Sequence, residues 1–215
     1  MNSRAAVLSR EGALRQAVVA EVLSLAWIMV EVAVGGAAAW IAGSLALSVF
    51  SLDSGVEWVS GAVLLVRLVT EVVRGRDQVA AAVERVAAAV CGFALLLLAA
   101  YISWESGRQL ASGAEVVMSP AGSAVAAASS LLTPWLARWK RRLGTALHSH
   151  ALLADAACSM TCAYMSWILF VSLAAQWLFG WWWMDAVAAL GIVYFVLREG
   201  LESVTVAYTG EAHVH

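Results

Sequence analysis

The sequence predicts an all-α membrane protein of six transmembrane helices, with both termini in the cytoplasm. Of its 215 residues, 62% are hydrophobic and only 13% are charged, whereas soluble domains carry about 45–50% apolar and about 25% charged residues. The charges are also segregated, because most of them lie between long apolar runs. Composition and charge distribution together indicate an integral membrane protein.

Six apolar stretches are long enough to cross a bilayer. A spanning helix takes about 20 apolar residues, because lipid offers no hydrogen-bond partner to a free backbone amide. The predicted spans lie near residues 16–40, 44–70, 80–104, 119–138, 149–175 and 182–207. We therefore expect residues 1–215 to form one multi-pass transmembrane domain in the cell membrane, with no soluble domain.

Basic residues concentrate at connections that share one side of a six-span chain. They are Arg4, Arg10 and Arg15 before the first span, Arg74 and Arg76 between the second and third, and Arg138, Lys140, Arg141 and Arg142 between the fourth and fifth. Cytoplasmic loops carry an excess of Lys and Arg, so this pattern predicts cytoplasmic termini. The last cluster lies between hydrophobic segments, which favours a topological role over nucleic-acid binding.

Two pairs of metal-binding residue types lie inside predicted spans. Asp53 and Glu57 occur in LDSGVEW, and Cys158 and Cys162 occur in CSMTC. A spacing of four places each pair on one helix face, one turn apart. If the two faces meet, four ligands surround one point, which suits tetrahedral zinc or cadmium. Magnesium and calcium prefer oxygen cages and fit poorly.

Structural interpretations of the same residues remain open. The two cysteines could be small packing residues, and the two carboxyl groups could be protonated hydrogen-bonding groups. Asp155 precedes Cys158 by three residues. It could orient a metal ligand, act as a gate, or cap the start of the fifth span.

Two acidic residues of the last span are assigned to its ends. Asp185 follows a tryptophan cluster and is expected at an interface or as the cap of the sixth span. Glu199 is assigned to the cytoplasmic end of that helix.

Three segments resemble the cation diffusion facilitator family of divalent-metal transporters. EVAVGGAAAWIAGSLALSVFSLDSGVEW is similar to the family's glutamate, paired glycines, Gly-Ser-Leu-Ala-Leu element and first ligand pair. SHALLADAACSMTC resembles its Ser-x-Ala-Leu-x-Ala-Asp element and second pair, and MDAVAALGIVYFVLREGLE resembles its closing helix. Together these segments span about half of the chain.

The resemblance implies a transport site at Asp53, Glu57, Cys158 and Cys162. The family usually places His or Asp first and Asp second in each pair, so two cysteines imply a preference for softer ions. The implied function is export of a divalent transition metal, zinc- or cadmium-like, in exchange for protons by alternating access. Metal binding needs deprotonated ligands, so protonation can release the ion. The metal is cargo, and no resident cofactor is expected.

The resemblance also suggests roles for residues outside the pairs. It gives Glu31 a structural or proton-coupling role. His148 and His150 stand where the family has a His-rich cytoplasmic loop, so they could collect metal at the inner mouth or be ordinary interfacial histidines. The family's cytoplasmic domain is not expected here, which implies a homodimer formed through the transmembrane helices.

Other classes of protein compete with a transporter. A membrane metal sensor or chaperone would bind the ion without flux, a thiol redox protein would use Cys158 and Cys162 for exchange, and a drug-type exporter would not need them. An enzyme is not expected, because no nucleophile–base–orienter set and no phosphate-binding loop occurs in the sequence.

Overall fold

The computed structural model describes residues 2–74, 80–113, 117 and 119–209. In these ranges the chain forms six continuous helical segments and no β-strand. The first segment is α1 (Asn2–Val30), which continues through a π-helical turn (Glu31–Gly35) into α2 (Gly36–Ala42). The others are α3 (Leu45–Arg74), α4 (Ala80–Ser112), α5 (Pro120–Leu147), α6 (His150–Phe179) and α7 (Met184–Thr209). The all-helical, six-segment prediction is confirmed.

Capping residues set the boundaries of these helices. Ser119 precedes Pro120 and accepts a hydrogen bond from the backbone N–H of Gly122 (3.1 Å), as an N-cap serine before an N1 proline does. Gly180 ends α6 in the left-handed region at φ 66°, which a residue without Cβ adopts freely. The second to sixth predicted spans therefore begin within two residues of the observed helices.

The fourth span is longer than predicted. The predicted span ends at residue 138, but α5 stays helical to Leu147 and ends where His148 adopts φ 51°. Arginine, lysine and leucine are good helix formers, so the basic cluster extends the helix rather than interrupting it.

Helix α3 occupies the centre of the bundle and packs against α1, α4, α6 and α7. Two further pairs, α4 with α7 and α5 with α6, lie side by side. A Cβ added at Gly92 of α4 would lie 2.9 Å from the carbonyl oxygen of Gly200 on α7. Small residues at this crossing allow the two backbones to approach closely, as is common in membrane helices.

Two buried apolar clusters divide the bundle along its length. The larger one lies toward the start of α3 and includes Leu47, Phe50, Met165 and Ile192. The smaller cluster joins the first part of α1 to the end of α3, the end of α5 and the start of α6; it consists of Leu14, Ala17, Ala20, Leu64, Leu68, Leu143, Leu147 and Leu152. We call the end of the bundle at this smaller cluster the basic end, because the described arginines before span one and after span four lie there. Since α3 finishes at the basic end and α6 starts there, the two helices are antiparallel.

The outer surface is apolar. Trp40, Ile41, Val73 and Leu131 are at least 74% exposed, and exposure of such large apolar side chains to water is unfavourable. By length and composition, the helices Arg10–Ala42 and Ala151–Phe179 are long and apolar enough to cross a membrane.

Candidate metal transport site

The first predicted ligand pair lies on the inner face of α3. Asp53 is 3% exposed and Glu57 is 7% exposed. On α6, Cys162 is buried and Cys158 is partly buried, and both are free thiols. The helical spacing of four thus places both pairs toward the interior, as the sequence predicted.

The two helix faces meet. The Ser159 hydroxyl of α6 donates a hydrogen bond to Oε1 of Glu57 on α3 (2.8 Å). Because the helices are antiparallel, Asp53 lies one turn farther from the basic end than Glu57, as Cys162 does relative to Cys158. Asp53 and Glu57 are close enough to Cys162 for electrostatic interaction with it.

The four predicted ligands do not converge on a coordination sphere in this structure. Within the described part of the chain, no group of three His, Cys, Asp or Glu side chains is arranged to hold a metal ion. The structure brings the two faces together, and the four-ligand set remains a prediction.

Glu199 of α7 adds a further carboxyl group near these residues, which the sequence did not predict. Its carboxylate lies near the Cys158 thiol, and its Oε2 is buried without a hydrogen-bond partner. The structure places Glu199 ten residues before the end of α7, near Cys158. Helical periodicity could have found it, because Glu199 follows the buried Asp185 by fourteen residues, about four turns on the same face.

Glu31 is fully buried in the π-helical turn. Its Oε1 accepts hydrogen bonds from Trp27 Nε1 (2.7 Å), Ser129 Oγ (2.5 Å) and Thr133 Oγ1 (3.4 Å). Its Oε2 accepts one from Ser54 Oγ (3.1 Å). A π-helical turn adds one residue to a helical turn and often occurs at functional sites. Here it places a carboxylate where α1, α3 and α5 meet.

Asp155 pairs with a lysine instead of capping its helix. Lys140 Nζ lies 2.7 Å from Asp155 Oδ2 and 3.1 Å from Glu21 Oε2, while Ser149 is the N-cap of α6. The capping alternative for Asp155 is wrong. Lys140, which the sequence places in the basic cluster between the fourth and fifth spans, is fully buried.

The predicted histidines lie at the basic end. His148 is exposed at the C-cap of α5. His150 is the first residue of α6, and its side chain lies outside the described residues. The structure therefore places these positions at one end of the bundle, away from the two ligand pairs.

Asp185 caps a different helix from the one expected. Its carboxylate accepts hydrogen bonds from the Ser44 hydroxyl (2.5 Å) and from the backbone N–H groups of Leu45 (2.7 Å) and Ala46 (3.3 Å). These amides begin α3, whose N-terminus favours a negative charge. The interaction fixes the start of α3, which carries Asp53 and Glu57, to the start of α7.

The structure is thus an all-helical bundle with an apolar surface and buried acidic groups. The sequence matches the cation efflux transmembrane domain over residues 22–208, and the chain therefore belongs to the cation efflux, or cation diffusion facilitator, family. It is an integral membrane protein that transports metal cations, in a family of transporters rather than enzymes. No curated protein matches the sequence.

Proposed function

We propose that this protein exports a divalent transition metal, zinc or cadmium, from the cytoplasm in exchange for protons. Asp53 and Glu57 of α3 and Cys158 and Cys162 of α6 are the proposed ligands. The observation that carries the proposal is the 2.8 Å hydrogen bond from Ser159 to Glu57, which brings the faces bearing both pairs into contact. Two carboxylates and two thiolates suit a tetrahedral ion of intermediate softness.

Alternating access explains why the ligands are near one another without enclosing a site. A transporter must form its coordination sphere and then open it, so the donors cannot stay locked in one arrangement. Here the Glu57 carboxylate is turned toward Ser159, and a change of its rotamer would free it for metal. Glu199, beside Cys158, supplies a further oxygen donor or proton acceptor during this change.

Proton exchange follows from the ligand chemistry. Carboxyl and thiol groups bind metal only when deprotonated, so loading the site releases protons and protonation discharges the ion. The basic end faces the cytoplasm in this proposal, because Lys and Arg are enriched on that side of membrane proteins. The protein is a multi-pass protein of the cell membrane that forms a homodimer through its transmembrane helices.

Metal flux into proteoliposomes tests the function. The full chain is reconstituted, a proton gradient is imposed, and accumulation of zinc or cadmium is followed with a fluorescent indicator. We expect the wild-type chain and the control Cys91→Ser to accumulate metal. Asp53→Ala and the double variant Cys158→Ser/Cys162→Ser should lose at least about 10-fold in metal affinity, since even groups behind a ligand change affinity by about 10–100-fold.

Each alternative predicts a different result in the same assay. Wild-type rates in the double serine variant would show that the four-ligand site is wrong. Binding of metal without flux would indicate a sensor or chaperone. Activity that survives Asp53→Ala but requires both thiols would indicate a redox protein.

A further inference from the structure

A buried lysine joins three helices next to the proposed site. Lys140 of α5 is fully buried, and its Nζ lies 3.1 Å from Glu21 of α1 and 2.7 Å from Asp155 of α6. Among the side chains that the structure describes, no other lysine or arginine is buried. Lysine is almost never fully buried unless it is paired, so two carboxylates hold this ammonium as an internal cation.

The neighbours of Lys140 show that its burial is specific. Arg138, Arg141 and Arg142 on the same helix are exposed, so only one residue of the basic cluster points inward. Helix α3 closes the other side, where a Cβ added at Gly61 would lie 2.7 Å from Glu21 Oε1. The triad of Glu21, Lys140 and Asp155 is therefore enclosed by four helices.

A hydroxyl group connects this triad to a proposed metal ligand. Lys140 Nζ donates a hydrogen bond to Ser159 Oγ (3.4 Å), and the Ser159 hydroxyl donates one to Glu57 Oε1 (2.8 Å). A serine hydroxyl can accept and donate at the same time. Since the lysine has no acceptor, it directs the serine proton toward Glu57.

We propose that Lys140 is a positioning and selectivity-determining residue of the transport site, a proposal that rests on the proposed function. Through Ser159 it orients Glu57, and by pairing with Glu21 and Asp155 it keeps two further carboxylates out of metal coordination. Oxygen donors favour hard ions such as manganese and magnesium, whereas thiolates favour zinc and cadmium. Because the Lys140 ammonium pairs with these two carboxylates, the metal preference of the site shifts toward ions that favour sulfur ligands.

Two kinds of variant separate positioning from support of the fold. Removing Lys140 alone leaves two buried carboxylates without a counter-charge, which can prevent folding. The triple variant Lys140→Met/Glu21→Gln/Asp155→Asn removes all three charges together and nearly preserves shape. Ser159→Ala leaves the ion pairs in place and cuts only their link to Glu57. Ser166→Ala is the matched control, since Ser166 is buried on the same helix and donates to the backbone of its own helix, at Ala163 O (2.8 Å).

Zinc binding to the detergent-solubilised full chain, measured by calorimetry, gives a readout independent of flux. We expect Ser159→Ala and the triple variant each to weaken zinc binding about 10-fold, as loss of a group that orients a ligand does. In proteoliposomes Ser159→Ala should raise KM more than it lowers the maximal rate. Combining the two changes should weaken binding no further than either alone, because both act through Ser159. Ser166→Ala should bind as the wild type does.

The outcomes also distinguish a failure of this inference from a failure of the proposed function on which it rests. Wild-type zinc affinity in both Ser159→Ala and the triple variant overturns the positioning role while leaving metal transport intact. Fully multiplicative losses in the combined variant overturn the shared route through Ser159. A wild-type chain that binds neither zinc nor cadmium overturns the proposed function together with this inference.

Discussion

Individual buried ionisable residues in this bundle are stabilised in two ways. Glu31 is surrounded by neutral donors from three helices, whereas Glu21 and Asp155 share the charge of Lys140. A buried charge without such partners is strongly unfavourable. Glu31, Glu21 and Asp155 thus belong to networks of paired groups.

Replacing Glu31 by glutamine tests the neutral-donor network. Four side chains donate hydrogen bonds to the Glu31 carboxylate. Glu31→Gln replaces one acceptor oxygen by an NH₂ donor, so at least one of these hydrogen bonds is lost. We expect a loss of about 1–3 kcal/mol in the free energy of unfolding, measured by denaturant titration in detergent micelles. The exposed control Glu11→Gln should change stability by less than about 0.5 kcal/mol. Equal stability of both variants would contradict the network.

At the scale of a single helix, α5 contains a proline whose cost is offset by a tryptophan. Pro134 is buried in the helix interior and has no N–H to donate to the carbonyl of Ser130. Trp167 Nε1 of α6 donates to that carbonyl instead (2.7 Å). An unpaired carbonyl in lipid is costly, so this bond satisfies the carbonyl and joins α5 to α6.

A double-mutant cycle on Pro134 and Trp167 measures this contribution. Trp167→Phe keeps an aromatic ring but loses the donor, and should reduce the free energy of unfolding by about 1 kcal/mol. In a Pro134→Ala background the alanine N–H restores the partner of Ser130, so the same change should cost markedly less. An identical cost in both backgrounds would show that the bond contributes nothing to stability.

The close crossing of α4 and α7 depends on a glycine, Gly92. A Cβ at Gly92 would lie 2.9 Å from both Gly200 O and Val204 N, which are backbone atoms, and 2.8 Å from a side-chain carbon of Val204. Gly92→Ala should therefore force the two helices apart and reduce stability by about 1–3 kcal/mol.

Gly107 of the same helix provides the control for the Gly92 substitution. A Cβ at Gly107 would meet no atom within 4 Å. Gly107→Ala should raise stability by up to about 1 kcal/mol, because alanine is the better helix former. The two changes are compared by thermal unfolding in the same detergent, and effects of equal sign would argue against close packing at Gly92.

On the scale of the whole molecule, the bundle has two chemically different ends. At the basic end Arg10 of α1 pairs with Glu71 of α3 (2.6 Å). At the other end Asp185 caps α3, and stacked tryptophans Trp181 and Trp183 suit a membrane interface, where aromatic rings are enriched. This difference between the two ends agrees with the proposed location of both termini in the cytoplasm.

Cysteine labelling in cells tests the proposed orientation. In a background with Cys91, Cys158 and Cys162 replaced by serine, Glu11→Cys and His148→Cys should react with an impermeant maleimide only after permeabilisation. Trp182→Cys should react in intact cells, because it lies at the opposite end of the bundle. Reaction of all three positions from the same side would rule out the six-span topology.

The sequence by itself determined the number of helices, most of their starting points, and the placement of Asp53 with Glu57 and of Cys158 with Cys162 on one face of a helix. These features depend on apolar length, capping residues and a spacing of four, which are local properties of the chain. For the same reason the membrane class and the family resemblance could be inferred from composition and short motifs.

Only the tertiary structure decided which side chains meet across helices. In the structure Lys140 pairs with Glu21 and Asp155. Glu199 lies beside Cys158, and Asp185 caps the start of α3. Such contacts depend on the rotation and depth of one helix against another. Close packing at small residues determines this rotation and depth. The periodicity of a single helix carries no information about either.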